Sequence, residues 1–236
     1  MYDPIKFGEK IKEIVCKNSM RKYFRFRATR YYGGIATGDV VGCNLKCCYC
    51  YVYQPREKPR EIGRFYVPEE VANILVKIAK RNSFSKIRLS GGEPTLCKEH
   101  LLKLLESIPS QFTFIVETNG ILLGYDKIYV KTLSEFENVW VRVSLKGCTP
   151  EEFSRITGAN SEAFEYQLLA LKHCIEFGVE CYPAILLDML DKKNLSLLKE
   201  RLDEIDPRLW QKMDTSETLL LYPHVKHRMR KAGFKV

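Results

Sequence analysis

Short aliphatic or β-branched runs alternate with helix-period segments along most of the 236-residue chain, and this alternation restricts the fold more than any single motif. The runs Ile35 to Val41, Lys86 to Ser90, Phe112 to Glu117, Val139 to Leu145, Val179 to Leu187 and Thr218 to Tyr222 have the length and residue types of strands. Between them lie amphipathic segments: Pro68 to Asn82, opened by Pro68-Glu69-Glu70 in the manner of a first helical turn; Lys98 to Ser107; Asp126 to Glu137; Ser161 to Phe177, closed by Gly178; and Asn194 to Ile205. Such a βα alternation predicts an α/β fold, with parallel strands and crossover helices in a doubly wound sheet or a barrel. Either architecture collects ligands at the carboxyl ends of its strands. The unusual residues of the chain fall there: a cysteine group after the first run, Gly91-Gly92-Glu93-Pro94 after the second, Thr118-Asn119-Gly120 after the third, Lys146-Gly147 after the fourth and Pro223-His224 after the last.

With no repeat, low-complexity tract or Gly/Ser linker, the length predicts a single domain. A mixture of 45% hydrophobic and 28% charged residues excludes disordered and fibrous classes. No apolar run approaches the roughly 18 residues of a membrane span, and Met1-Tyr2-Asp3-Pro4 does not open a signal peptide, so a cytoplasmic location is expected. The formal charge of +9 is local in origin. Residues 21–30 carry Arg21, Lys22, Arg25, Arg27 and Arg30, and residues 222–236 carry Lys226, Arg228, Arg230, Lys231 and Lys235, with no acid in either stretch. Without these ten, 28 of the 38 bases face 29 acids. Residues 23–29 alternate polar and apolar like a half-buried strand, with Arg25 and Arg27 on one face. A solvated face is the simpler reading of both stretches; an RNA, an acidic protein or a phosphorylated substrate is the partner they would suit.

Nine cysteines are many for a chain expected to stay in a reducing compartment, where a tight group signals metal binding or catalysis before disulfides. Four fall within Cys43-Asn44-Leu45-Lys46-Cys47-Cys48-Tyr49-Cys50, giving C-x3-C-x2-C with Cys48 as a bystander. Closely spaced thiolates select an iron–sulfur cluster or zinc, and three of them leave a fourth position open. A structural zinc site needs a closed set of four, and the distant His224 and His227 are its only spaced candidates. Cys97, Cys148, Cys174 and Cys181 form no ligand spacing, Cys16 has no evident partner, and His100 and His173 read as structural residues of helices.

The spacing Cys43, Cys47, Cys50, with the aromatic Tyr49 before the last cysteine, resembles the signature of the radical S-adenosylmethionine (SAM) superfamily. The resemblance implies a partial (β/α)6 TIM barrel, a [4Fe–4S] cluster on those three thiolates, and SAM on the fourth iron. It also implies reductive cleavage to a 5′-deoxyadenosyl radical that abstracts hydrogen, and an electron donor of the flavodoxin or ferredoxin type. Residues 34–225 would form the core, residues 1–33 an N-terminal helix and basic strand-like arm, and residues 226–236 a basic tail.

Gly91, Gly92, Glu93 and Pro94 resemble the family's second motif, in which glycine backbone approaches the ligand and the glutamate meets the SAM amino group. Within the superfamily, Thr118 and Asn119, and Ser144-Leu145-Lys146 followed by Thr157-Gly158-Ala159-Asn160, resemble the activases that install a glycyl radical on a partner enzyme. Lys146 would then hold the SAM carboxylate, and His224 would touch its nucleoside. Ser144 and Glu117 stand where those activases carry Asp, and Tyr182-Pro183 replaces an Arg of their fifth strand. A radical SAM enzyme modifying RNA or a peptide is the alternative favoured by the basic edges, and a non-catalytic zinc or iron–sulfur module is the alternative from another class.

Overall fold

The computed structural model describes every residue from Met1 to Val236. Eight strands form one sheet: β1 (Cys16–Lys17), β2 (Met20–Thr29), β3 (Ile35–Val40), β4 (Arg64–Tyr66), β5 (Lys86–Gly91), β6 (Thr113–Thr118), β7 (Val139–Leu145) and β8 (Glu180–Ile185). Their order is β1-β2-β3-β5-β6-β7-β8, with β4 paired to β2. β3, β5, β6, β7 and β8 run parallel, each joined to the next by helical crossovers, while β2 lies antiparallel on the free side of β3. The sheet curls into a partial barrel.

The helices follow from their sequences. Pro68–Arg81 carries Glu69 and Glu70 in its first turn and Lys80 and Arg81 in its last, both favourable to the helix dipole, and buries Val71, Ala72, Leu75 and Ala79. Lys98–Ser107 has the expected bounds. The segment Asp126 to Glu137 shrinks to Lys127–Leu133, with a separate short helix, Ile121–Tyr125, ahead of it. A further helix, Pro150–Thr157, was not foreseen, although Thr149 caps it through Glu152 N and Gly158 ends it in the left-handed region.

The last expected strand does not form. Thr218 to Tyr222 pairs with no strand and turns at its end, where Tyr222 N donates to Leu220 O, and the sixth position beside β8 holds a single bridge, Ala184 to Asp214. There Asp214 N donates to Pro183 O and Ile185 N donates to Asp214 O, both at 2.9 Å. β8 is therefore an edge strand, and the N–H that Pro183 lacks would have faced this sparsely paired side, which explains how a proline is tolerated in a regular strand.

Two readings of charge and cysteine are corrected. The first basic stretch is not a solvated face throughout, because Arg21 and Lys22 are buried in β2. Arg21 Nη2 donates to Val41 O and Glu93 O, while its buried Nε has no acceptor in the chain, and Lys22 Nζ donates to Pro59 O and Arg60 O, so backbone carbonyls carry most of the burden of both charges. Cys16, without an evident partner in the sequence, forms a disulfide with Cys97 across 81 residues. Residues 226–236 begin inside a helix, Pro223–Lys231. No helix is long and apolar enough to cross a membrane.

Candidate active site

The C-terminal ends of the parallel strands open into a cavity of about 900 Å³, lined by Cys43, Cys47, Tyr49, Cys50, Gly91, Gly92, Glu93, Thr118, Asn119, Ser144 and Lys146. Eleven of the thirteen expected site residues thus share one chamber. Pro94 opens a buried 3-10 turn just behind the wall, and His224 also stays outside. The His224 ring packs against Tyr53 and Tyr222, with centroids at 4.9 and 5.7 Å, and only those two tyrosines reach the chamber.

The loop after β3 is held by its own backbone. Cys48 N donates to Ile156 O, Arg56 Nη1 donates to Cys47 O at 2.7 Å, and Arg228 donates to Cys48 O and Cys50 O. Cys48 is buried and, unlike the other three, does not line the chamber. Cys43, Cys47 and Cys50 are free thiols. Burial pushes the Cys43 thiol above its ordinary range, helped by Glu93 and Cys47, and burial raises Cys47 as well. A bound metal centre would take the place of those protons.

The donor set fits an iron–sulfur cluster. No three His, Cys, Asp or Glu groups converge on a point where one ion could sit, which disfavours a single zinc. Cluster thiolates bind separate irons and need not converge. Asn44, next to Cys43, has a buried Nδ2 with no acceptor in the chain, a donor that a sulfur-rich group could satisfy.

Glu93 locks two turns together. Its Oε1 accepts from Thr95 N, Thr95 Oγ1 and Thr118 Oγ1, and its Oε2 accepts from Asn119 N at 2.8 Å. Three of the four donors crowd Oε1, and Oε2, with a single donor, has a lone pair for an incoming ammonium. Gly92 also has a structural part. A Cβ on Gly92 would lie 2.1 Å from Gly42 O, so the missing side chain lets two backbone segments meet, with Gly92 N donating to Val40 O and Glu93 N to Gly42 O.

Asn119 Nδ2 donates to Asn44 Oδ1 at 2.7 Å, joining the third turn to the cysteine loop. Lys146 Nζ donates to Ser144 Oγ and lies over the Tyr49 ring at 5.6 Å. Burial opposes its charge, but Tyr49, Cys47 and Glu217 outweigh that cost and keep Lys146 protonated. Gln167 was missed. Fully buried on the helix Phe164–Glu176, it donates to Asn119 O and Ser144 O and accepts from Lys146 N, uniting the third and fourth turns. A lone amide on an apolar helix face was the available signal.

A second layer lies deeper, along the strands. Asp39 pairs with Arg25 and Arg27, Arg88 with Glu117, and Arg142 with Asp214 and Glu217. Tyr32 donates to Glu117 at 2.8 Å, and the Arg88 guanidinium lies over the rings of Tyr31 and Tyr32. Burial opposes the charge of Glu117, but Arg88 and Arg142 together hold its carboxyl below the usual range.

The model of the radical SAM superfamily matches residues 39–204, more than half of the chain. The chain belongs to the radical SAM superfamily. A probable GTP 3′,8-cyclase of Thermococcus kodakarensis is 32% identical over 155 residues, 65% of this chain and 46% of that protein. The GTP 3′,8-cyclase of Mannheimia succiniciproducens is 30% identical over 168 residues, 66% of this chain and 44% of that protein. This radical SAM chain therefore spans less than half the length of these curated relatives. Among solved structures, HydG, a maturase of the [FeFe]-hydrogenase, aligns over 97% of this chain and 52% of its own with a TM-score of 0.58 at 12% identity. Streptococcus suis SuiB bound to S-adenosylmethionine aligns over 72% and 36%, with a TM-score of 0.54 at 20% identity. These two establish the shared fold.

Family membership brings with it a [4Fe–4S] cluster, SAM and the need for an electron donor, and it removes the non-catalytic module as a reading. The narrower likeness to glycyl-radical activases finds no support: the curated relatives are named GTP 3′,8-cyclases, and Ser144 and Glu117 depart from the activase pattern.

Proposed function

We propose that this radical SAM enzyme holds its cluster on Cys43, Cys47 and Cys50, and abstracts hydrogen from a small polar substrate, of nucleotide type, seated in the same chamber as SAM. The observation that carries this reading is the chamber itself: the three free thiols and the turns at Gly91–Glu93, Thr118–Asn119 and Ser144–Lys146 share one cavity with a floor of buried ion pairs. Its volume lies near the top of the roughly 300–1,000 Å³ range of ligand pockets, room for a cofactor and a small substrate rather than a folded partner. The names of the curated relatives support a nucleotide.

Cys43, Cys47 and Cys50 would hold the cluster, which would supply the electron for reductive cleavage of SAM. The chain's own residues bind and orient. Oε2 of Glu93 takes the SAM ammonium, Lys146 takes its carboxylate, and Thr118 and Asn119 border the nucleoside. A flavodoxin or ferredoxin type of donor delivers the electron.

Anaerobic reconstitution tests the reading. About four irons per chain and 5′-deoxyadenosine release after dithionite are expected. Cys47→Ala should lose both while keeping the circular dichroism of the fold. Incubation with deuterated nucleoside triphosphates should carry deuterium into 5′-deoxyadenosine. One zinc per chain, or no SAM cleavage by a fully loaded protein, would overturn the assignment.

A further inference from the structure

The ion pairs of the chamber floor are not balanced along their length. Arg88 (6% exposed side chain) meets one carboxylate, Glu117, and Arg142 (5%) meets two, Asp214 and Glu217. At the β2 end two guanidinium groups share a single carboxylate that is almost fully buried, Asp39, so one positive charge is left over. The register explains the geometry. A bulge between Tyr23 and Arg25 resets β2 so that Arg25 faces Asp39 and Arg27 faces Thr37, placing both arginines on the cavity side of the sheet.

The two arginines are not equivalent. Arg27 clasps Asp39 twice, through Nε at 2.7 Å and Nη2 at 3.3 Å. Arg25 gives Asp39 only its Nε, at 2.7 Å, and its side chain is 48% exposed. Both Nη groups of Arg25 are without an acceptor in the chain. A guanidinium on the chamber wall held by one nitrogen, with its other two unpaired at the locally positive end of the floor, matches an oxyanion. Both residues precede the stretch that the family model matches, which starts at Asp39.

We propose that Arg25, steadied by the Arg27–Asp39 pair, is the docking point for the anionic group of the substrate. This rests on the reading of the chamber as the substrate site, and names what that substrate must carry: a phosphate or carboxylate, placed at the β2 side of the chamber.

Equilibrium dialysis on reconstituted, SAM-loaded protein separates the possibilities, with inorganic tripolyphosphate and citrate as the two probes and GTP alongside. Arg25→Gln removes the spare charge yet leaves Asp39 paired with Arg27, so the fold is kept. Affinity for the preferred probe should fall about tenfold or more. Arg25→Lys should recover part of it, having the charge without the fork. Arg230→Gln, exposed on the C-terminal helix and outside the chamber lining, should change nothing. A preference for tripolyphosphate identifies a phosphorylated substrate, and a preference for citrate a carboxylate. The proposal fails if the wild type binds neither probe, if Arg25→Gln binds as well as wild type, or if Arg230→Gln loses as much. Release of 5′-deoxyadenosine in the same samples is scored separately, so failure of the radical chemistry and failure of the anion site are distinguishable.

Discussion

At the level of single residues, the cysteine triad and the turns were legible because their chemistry is local: thiol spacing, glycine pairs and an Asn-Gly step are written in consecutive letters. What those turns lean on was not. Gln167 lies 48 residues from Asn119 and 23 from Ser144, and only the packing of its helix onto the sheet gives it three partners. Glycine in the second motif showed the same limit, since the sequence called for a small residue at 92 without saying that Gly42 O is what crowds it. Gln167→Leu keeps most of the volume and strands two carbonyls and an N–H. Part of that loss can be relieved by water from the chamber, so a destabilisation of about 2–4 kcal/mol is expected in guanidinium unfolding. SAM affinity should weaken with it, as the third and fourth turns lose their common tie. A change under about 0.5 kcal/mol would mean that the turns are held by other contacts.

At the level of elements, strands buried on both faces announce themselves as apolar runs, and five of the six anticipated parallel strands appear close to their expected limits. Thr218 to Tyr222 has the same look but no neighbour to pair with, because β8 bonds only to Asp214 on that side. Side chains do the fastening instead. Arg142 on β7 reaches Asp214 through Nη2 and Glu217 through Nη1, both at 2.9 Å. Arg142→Met should therefore free residues 214–222, seen as faster hydrogen exchange and proteolysis there. The carboxylates are 17% and 31% exposed and can rehydrate, so the cost should stay below the 3–5 kcal/mol of a fully buried pair, at about 1–3 kcal/mol. The pH dependence carries the same signature. The carboxyls of Asp214 and Glu117 both sit below their ordinary range: burial opposes this, while hydrogen bonds from Ser216 and then Arg142 dominate at Asp214, and Arg88 and then Arg142 at Glu117. A depressed carboxyl stabilises the fold above its unfolded value, about pH 4, and loses that contribution as pH falls through the folded value. Wild-type stability should decline below about pH 4, and the decline should be shallower in Arg142→Met. Equal slopes would show that Arg142 does not set these ionisations.

For the molecule as a unit, the question is how an N-terminal arm outside the matched family stretch becomes part of the catalytic chamber. The helix Pro4–Val15, β1 and β2 precede residue 39, yet Phe24, Arg25 and Arg27 line the cavity. Hydrogen bonding to β3 supplies one attachment, and buried Arg21, donating to Val41 O and Glu93 O, supplies a second. The third is covalent. Cys97 closes the stretch that begins at Gly91, and its disulfide to Cys16 fastens the start of the arm to the turn proposed to receive SAM. Arg21 Nη1 lies 3.3 Å from the Cys97 sulfur, so the ionic and covalent attachments meet at one place. Closing a loop of 81 residues is worth about 4 kcal/mol in the chain-entropy account. Cys97→Ser and the thiol-reduced wild type should each lose about that much in denaturant unfolding, and the variant should lose nothing further on reduction. Hydrogen exchange should quicken over residues 16–29 in both, while β6 and β7, which the disulfide does not touch, keep their protection. If exchange instead rose evenly over the barrel, the arm would be a cooperative part of the core. A stability unchanged by reduction would show that β2 pairing and Arg21 alone hold it.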